Sequence, residues 1–504
     1  MCRHTAGTAV GPDSAKAVEA FLEVFVNATS YAIPERIDRM PMTREFWRVL
    51  LLAGVAWLIE SYDIGIVGNV LPSLQRQYSL DAFMVGVLAT ASTLGIVVAI
   101  APAGHLADRF GRKRLLVVGT AWYAIASLAC SFVSDPLAII ALRFIGGFGM
   151  GMVFPIPYGI AAELTPGRFR GAATAMLDAF LSVGYLGASL SAFFVIPQLP
   201  VDTGWRWLFV IGALPLIYVP FLLKWMPESP RWLETQGRSD EADQIVRSFE
   251  TAVERRRGIH LTPVERTAVP TQRGDEVSIS HIFQGEYRKR TLMMWVAFSC
   301  ILFMFYSVQT YMPTVLVKDG HGLQGAFLIT SLVISASIFG KGLAAWMVER
   351  YGRKATIVVF GVISAASAVL FGVFHLAALA IPLAMLLSFF GIGIDPVVKI
   401  YGAEQYPTRL RETGVGMVEG VGRLFGGVAA PFVMSFILAG SGVTGSYLFV
   451  GGVAIVGVSA VAIFGHETMG RAIEAVSSVG SSARGGWRGA VGMPAVAEYQ
   501  DKAS

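Results

Sequence analysis

Long apolar runs separated by short polar stretches set the pattern of this chain. Runs of about 18 or more residues are long enough to cross the hydrocarbon of a bilayer as a helix. Twelve are present, at 47–70, 83–103, 115–134, 136–161, 172–195, 206–225, 291–315, 323–347, 355–375, 377–401, 412–438 and 444–464. In lipid every backbone polar group must be satisfied within the segment, so each run is predicted as an α-helix. The predicted fold class is an all-α membrane protein with twelve transmembrane helices in two pseudo-symmetric halves.

Composition agrees: the 504 residues are 54% hydrophobic and 15% charged, and the mean hydropathy is +0.59. The basic residues are sided. Arg109, Arg112, Lys113 and Arg114, then Arg168 and Arg170, Arg350, Arg353 and Lys354, and Arg409 and Arg411 all fall in loops that follow even-numbered spans. Short loops rich in Lys and Arg stay cytoplasmic, so both termini are predicted to be cytoplasmic, in the plasma (inner) membrane. The net charge of +5 then reflects topology, not a surface for nucleic acid. Residues 1–45 lack a signal peptide's basic start, short apolar core and cleavage site, so the first span acts as its own insertion signal. Three cysteines cannot form a disulfide framework. No phosphate-binding Gly-Lys-Ser/Thr motif, nucleophile elbow or metal-spaced Cys/His cluster is present, so no enzyme, cofactor or metal site is expected.

An internal repeat gives the organisation. "HLADRFGRK" at 105–113 recurs as "WMVERYGRK" at 346–354, placing Asp108 and Glu349 241 residues apart. The same offset pairs Glu163 with Glu404, Pro166 with Pro407, Arg170 with Arg411, and Asp178 with Glu419. The predicted division is a cytoplasmic segment 1–45, a six-helix half 46–225, a cytoplasmic linker 226–290, a second half 291–465 and a cytoplasmic tail 466–504. Within the linker, "SDEADQIVRSFETAVERRR" reads as an amphipathic helix with Ser239 as N-cap, acids in its first turn and arginines at its end. Residues 258–278 read as a flexible linker and 475–504 as a disordered tail. Two such halves place a solute site between them near the midplane, served by alternating access.

"GHLADRFGRKRL" packs one acid and four cations into a short loop. Topology accounts for the cations, whereas Asp108 is predicted either to pair with Arg112 or to sit at the positive end of a helix. Here the chain resembles the major facilitator superfamily, whose second-to-third loop carries this Gly-x-Leu-x-Asp-Arg-x-Gly-Arg-Lys pattern. "ALRFIGGFGMG" (141–151), "AELTPGRFRG" (162–171), "WRWLFVIGALP" (205–215), "PESPRWL" (227–233), "AEQYPTRLRETG" (403–414) and "HETMGRAIE" (466–474) are similar to its sugar porters. The resemblance implies a cytoplasmic gate of exchanging ion pairs: Asp108, Arg112, Glu163, Arg170, Glu228, Arg231, Glu349, Arg353, Glu404, Arg411 and Glu467. His466 stands where that family has proline. The sugar-binding glutamines are replaced by Asp178, Cys300 and Ile301, and the carboxylates of the first span look more like the related metabolite:proton symporters, among them nicotinate and aromatic-acid permeases.

Glu60 and Asp63 lie inside the first span, where an acid costs roughly 2.5–3.5 kcal/mol on insertion scales and so marks function by default. Three residues apart, they share a helix face. Low dielectric favours a protonated carboxyl and a nearby cation the ionised one. The resemblance to proton-coupled porters implies that Asp63 and Arg143 form the coupling pair, with Glu60 a second acid; a permanent structural ion pair is the alternative. In the second half, Asp395 with Lys399 and Glu419 with Arg423 are spaced i,i+4. Each pair is either neutralised internally or presents a cation to a substrate carboxylate. Lys341 is a third cation, with snorkelling to the interface as its other reading. Asp178, Tyr306, Gln309 and Tyr311 complete the candidate substrate-binding residues. The predicted function is proton-coupled symport of a small organic solute, an organic or aromatic carboxylate, by a monomer whose partners are the solute, protons and the bilayer. Sugar/proton symport, drug or metabolite export, and a non-transporting sensor are the alternatives.

Overall fold

The computed structural model describes residues 33–469 apart from 201, 259, 262–281, 377 and 407–409. The glycosylation-like "NAT" at 27–29, Cys2, most of the predicted linker 258–278 and the tail 475–504 lie outside the described residues. Twelve helices are long and apolar enough to cross a membrane: Arg44–Tyr78, Ala82–Ile100, Arg112–Phe132, Pro136–Leu164, Gly167–Gln198, Gly204–Trp225, Tyr287–Lys318, Leu323–Tyr351, Arg353–Phe374, Ala380–Glu404, Gly414–Gly440 and Gly442–Phe464. All twelve predicted spans are found. Their ends differ most in the first, whose helix runs on through Pro72 to Tyr78, because the polar turns beyond the hydrocarbon continue the helix without an apolar signal.

The linker helix also forms, over Ser239–Arg257, but its N-cap is Arg238, and Ser239 is already helical. That corrects the predicted cap. Arg238 instead reaches forward to Glu241 in a two-bonded ion pair. A shorter helix, Pro230–Thr235, precedes it with a capping Ser229 whose hydroxyl accepts from the Trp232 N–H.

Within the first half, spans two and four meet backbone to backbone. A Cβ on Gly147 would lie 2.1 Å from the Ser92 carbonyl oxygen, and one on Gly95 2.2 Å from that of Phe144. Such approaches require residues without side chains. They bring Ser92 of span two beside Arg143 of span four.

Several spans break at mid-length, where irregular backbone in a membrane is tolerated only inside protein or beside a cavity. The fourth is interrupted at Phe154–Pro155 and the tenth at 392–394, just before Asp395–Pro396. Pro155 and Pro396 are 241 residues apart, so the break belongs to the repeat. The eleventh span widens to a π-helix over Arg423–Val428, a feature frequent at functional sites.

Candidate functional site

These breaks converge on a cavity between the halves. It is walled by Trp57, Glu60, Ser61 and Ile64 of span one, Phe154 of span four, and Leu181 and Tyr185 of span five. The second half contributes Leu302, Phe305 and Tyr306 of span seven, Asp395 and Lys399 of span ten, and Arg423 of span eleven. The space between the walls is about 460 Å³, but only about 30 Å³ is open to the centre of a water molecule. That is room for about two water molecules, so a ring-sized ligand requires the walls to part.

Glu60 is the unusual lining group. It is 1% exposed, and neither carboxylate oxygen has a hydrogen-bond partner among the described residues. An unpartnered buried carboxylate is costly, and the charges whose fields reach it are Arg423 and Asp63.

Asp63, one turn along, is fully partnered and stands behind the cavity wall. Its Oδ2 accepts from Arg143 Nη1 at 2.7 Å and its Oδ1 from Ser127 Oγ at 2.6 Å. Arg143 also donates to the Asp63 carbonyl at 3.0 Å and to Ser92 Oγ at 2.9 Å, and its guanidinium lies over Phe209. Gly212 of span six leaves the necessary room: a Cβ there would lie 2.6 Å from Ser127 Oγ and 2.9 Å from Asp63 Oδ1. Ser92, Ser127 and Gly212 have no sequence signal, since serine and glycine are ordinary in spans.

The second-half cations are held at the seam. Arg423 is bonded to Glu419 at 3.1 Å and to the Tyr306 hydroxyl at 3.5 Å, and its guanidinium sits 3.7 Å from the centroid of Phe154 in the other half. Its Nε has no partner among the described residues. Lys399 pairs with Asp395 at 2.7 Å and, across the seam, with Asp178 at 3.3 Å. Asp178 also accepts from Tyr158 at 2.6 Å, and its backbone carbonyl from Lys341 at 3.0 Å. So Asp178 ties the halves together and lies outside the cavity lining, while Lys341 is engaged at that tie. Tyr311 donates to the Pro431 carbonyl at 2.6 Å, and Gln309 is buried where spans one and seven touch. Neither lines the cavity, whereas Tyr306 does. Trp57, Tyr185, Phe154 and Phe305 were missed, because an aromatic residue in an apolar run carries no mark of which side it faces.

Six of the predicted gate residues form two matching clusters, Arg112, Glu163 and Glu228 in one and Arg353, Glu404 and Glu467 in the other. Glu228 accepts from the backbone N–H groups of Arg112 and Lys113, each at 3.0 Å, at the start of span three. Glu467 does the same for Arg353 and Lys354, at 2.9 and 3.0 Å. Gly111 (φ 94°) and Gly352 (φ 89°) precede these helix starts, and a Cβ on either would lie within about 2.6 Å of the glutamate carboxylate. Arg112 pairs with Glu163, which also accepts from Ser229 at 2.5 Å. Arg353 likewise pairs with Glu404, which accepts from Thr468. Asp108 does not pair with Arg112, contrary to expectation: the helix end it would serve is occupied by Glu228, and Arg112 is taken by Glu163. Asp108 and Glu349 are both exposed, and the Asp108 carbonyl accepts from Trp232 and Gln236. Arg170 bonds Asp38 at 2.8 Å. Arg231 and Arg411 form no ion pair among the described residues.

At the opposite face the halves close backbone on backbone. A Cβ on Gly68 would lie 2.7 Å from the Gln309 carbonyl oxygen, and one on Gly86 2.7 Å from Ser435 Oγ. Phe83 and Phe432 meet edge to face beside them.

The description "Major Facilitator Superfamily" fits residues 53–417 of the chain. A niacin transporter of Acinetobacter baylyi is 33% identical over 444 residues, covering 88% of this chain and 98% of that protein. A gallate transporter of Pseudomonas putida is 28% identical, covering 88% and 97%. Among solved structures, the partially occluded inward-open xylose transporter XylE of E. coli aligns with a TM-score of 0.69 at 19% identity, covering 85% of this chain and all of that one. At that identity the likeness is one of fold.

Proposed function

Because the chain belongs to the Major Facilitator Superfamily and is a multi-pass membrane transporter, we propose that it carries a small aromatic carboxylate together with protons by alternating access. One observation carries this reading: a cavity at the seam with aromatic residues in its walls, whose charged groups are Arg423, Lys399 bonded to Asp395, and one unpartnered carboxylate, Glu60. Once the walls part, an aromatic ring can pack against Trp57, Phe154 and Tyr306. Its carboxylate fits Arg423, whose planar fork suits bidentate recognition and whose Nε is unused. Relatives named for niacin, gallate and 4-hydroxybenzoate transport support the same class.

Coupling then rests on the first span. Glu60 faces the cavity and takes a proton there, whereas Asp63 is bonded to Arg143 and Ser127. Opening the halves moves span one against spans three, four and six, loosening that pair, and the proton passes between the two acids one turn apart. The remaining gate contacts are intra-half latches that hold the charged-loop ends of the spans in register. On this reading that face is cytoplasmic.

The test is uptake into proteoliposomes of labelled nicotinate, 4-hydroxybenzoate and gallate, with xylose as comparison, under an imposed inward proton gradient. Accumulation of an aromatic acid that collapses with a protonophore is expected. Uptake indifferent to the gradient, or transport of xylose without any aromatic acid, overturns the reading.

A further inference from the structure

A second recess lies at the start of span one, lined by none of the residues of the cavity between the halves. It is lined by Arg44, Arg48, Leu51, Leu52, Val55 and Tyr218 together with Trp47, Glu45 and Arg256, and encloses about 970 Å³ between its walls and the surroundings. Positions 44, 48, 51, 52 and 55 follow the i, i+4, i+7, i+8, i+11 spacing of one helix face. That face is cationic at its upper end and apolar below. Arg44 and Arg48 are exposed and form no ion pair among the described residues, although the field of Arg48 reaches Glu45, and Arg256 pairs with Glu45 at 3.1 Å. Three guanidinium groups against one carboxylate leave an excess of positive charge. Below them Leu51 is 48% exposed, and the floor is fixed by Tyr218, whose hydroxyl donates to the Leu52 carbonyl at 2.7 Å. Trp47 lines the recess, and Trp225 follows Tyr218 along span six through Phe221; both tryptophans are exposed, a residue type enriched at membrane interfaces.

We infer that this groove holds an anionic phospholipid, its phosphodiester between Arg44, Arg48 and Arg256 and one acyl chain along Leu51, Leu52 and Val55. A free phosphate satisfies the arginines but leaves the apolar half uncovered, and a zwitterionic lipid leaves the excess charge unanswered. The site joins two elements that otherwise meet through Phe46 packed on Phe249 and the Glu45–Arg256 pair. Its occupant therefore secures the linker helix Ser239–Arg257 to the span that carries Glu60 and Asp63.

The test uses the full chain in detergent with equal amounts of dioleoyl phosphatidylglycerol and dioleoyl phosphatidylcholine, followed by native mass spectrometry. Phosphatidylglycerol adducts are expected to outnumber those of phosphatidylcholine, and Arg44→Gln/Arg48→Gln to lower the preference about twenty-fivefold, at roughly fivefold per basic side chain near an anionic leaflet. Arg288→Gln/Lys289→Gln removes equal charge at the exposed start of span seven, where the second half begins, and is expected to leave the preference intact. Millimolar inorganic phosphate or glycerol phosphate is expected not to displace the lipid. Val55→Trp, which fills the acyl path without altering charge, gives an independent arm and is expected to reduce retention of both lipids. An unchanged preference in Arg44→Gln/Arg48→Gln, an equal loss in the second-half variant, displacement by soluble phosphate, or full retention in Val55→Trp overturns the assignment.

Discussion

Glu60 and Asp63 are equivalent in the string "IESYDIG", yet the fold gives them opposite circumstances. Asp63 has every oxygen bonded and Glu60 has none. Their neutral replacements should therefore differ in stability as well as in transport. Asp63→Asn leaves Arg143 buried without its counter-charge, a loss of about 3–5 kcal/mol when one partner of a buried pair is removed. Glu60→Gln removes an unpartnered acid and should leave the melting temperature unchanged or raised. Both variants should lose gradient-driven accumulation while retaining counterflow, and thermal unfolding of the purified proteins alongside uptake checks the contrast. Arg423→Lys keeps the charge but not the planar fork, so its KM for an aromatic acid should rise about tenfold or more, in line with one charge-assisted hydrogen bond, with melting unchanged. The acids and cations of the site were legible in the sequence because charge in an apolar run is conspicuous. The aromatic walls and the serines that complete the Asp63–Arg143 pair were not, since helix facing depends on partners distant in sequence.

The spans and the linker helix were legible as elements, because hydropathy and amphipathic period are local. What the sequence concealed is how the elements are tied together. The motif glycines Gly111 and Gly352 read as loop residues, but their positive φ and the nearby carboxylates show that they make room for Glu228 and Glu467 to cap a following helix. Gly111→Ala should strain both the backbone and the cap, lowering transport and melting temperature together. The linker helix is held by Arg36, bonded to Glu250 at 2.6 and 3.0 Å and to Asp243 at 2.6 Å. Burial alone raises the Glu250 carboxyl, but Arg36 and Arg39 outweigh it and hold it below the usual range. Burial likewise opposes ionisation of Glu467, and the N–H groups of Met469, Arg353, Lys354 and Thr468 outweigh it. With folded values depressed, these carboxylates contribute stability above their unfolded value of about 4.3. That contribution is lost as pH falls through the folded values. Amide protection of 239–257, corrected for intrinsic exchange, should hold from pH 7 to about 5 and decline below about 4.

For the whole molecule, the repeat explains the frame but not the chemistry. The Arg112–Glu163 pair recurs at the 241 offset as Arg353–Glu404, with the capping Glu228 and Glu467 239 apart, whereas positions equivalent to Asp63 and Arg143 are Met304 and Ala384, and those equivalent to Lys399 and Arg423 are Tyr158 and Ser182. The first half thus carries the Asp63–Arg143 pair and the second the cations that line the cavity, and on the alternating-access reading the relative motion of two similar bodies acts on dissimilar chemistry. The halves meet closely at the face opposite the charged loops, at Gly68 against Gln309 and Gly86 against Ser435. If alternating access operates, that contact must open once per cycle. A cysteine at each of Gly86 and Ser435, in a background without Cys2, Cys130 and Cys300, should oxidise to a disulfide, since the two positions lie within the reach of one. Oxidation should then abolish net uptake and counterflow while leaving substrate binding in detergent measurable from the other face. Reductant should restore transport. Uptake that survives complete cross-linking would mean that this contact is a fixed part of the scaffold and that the solute passes by another route.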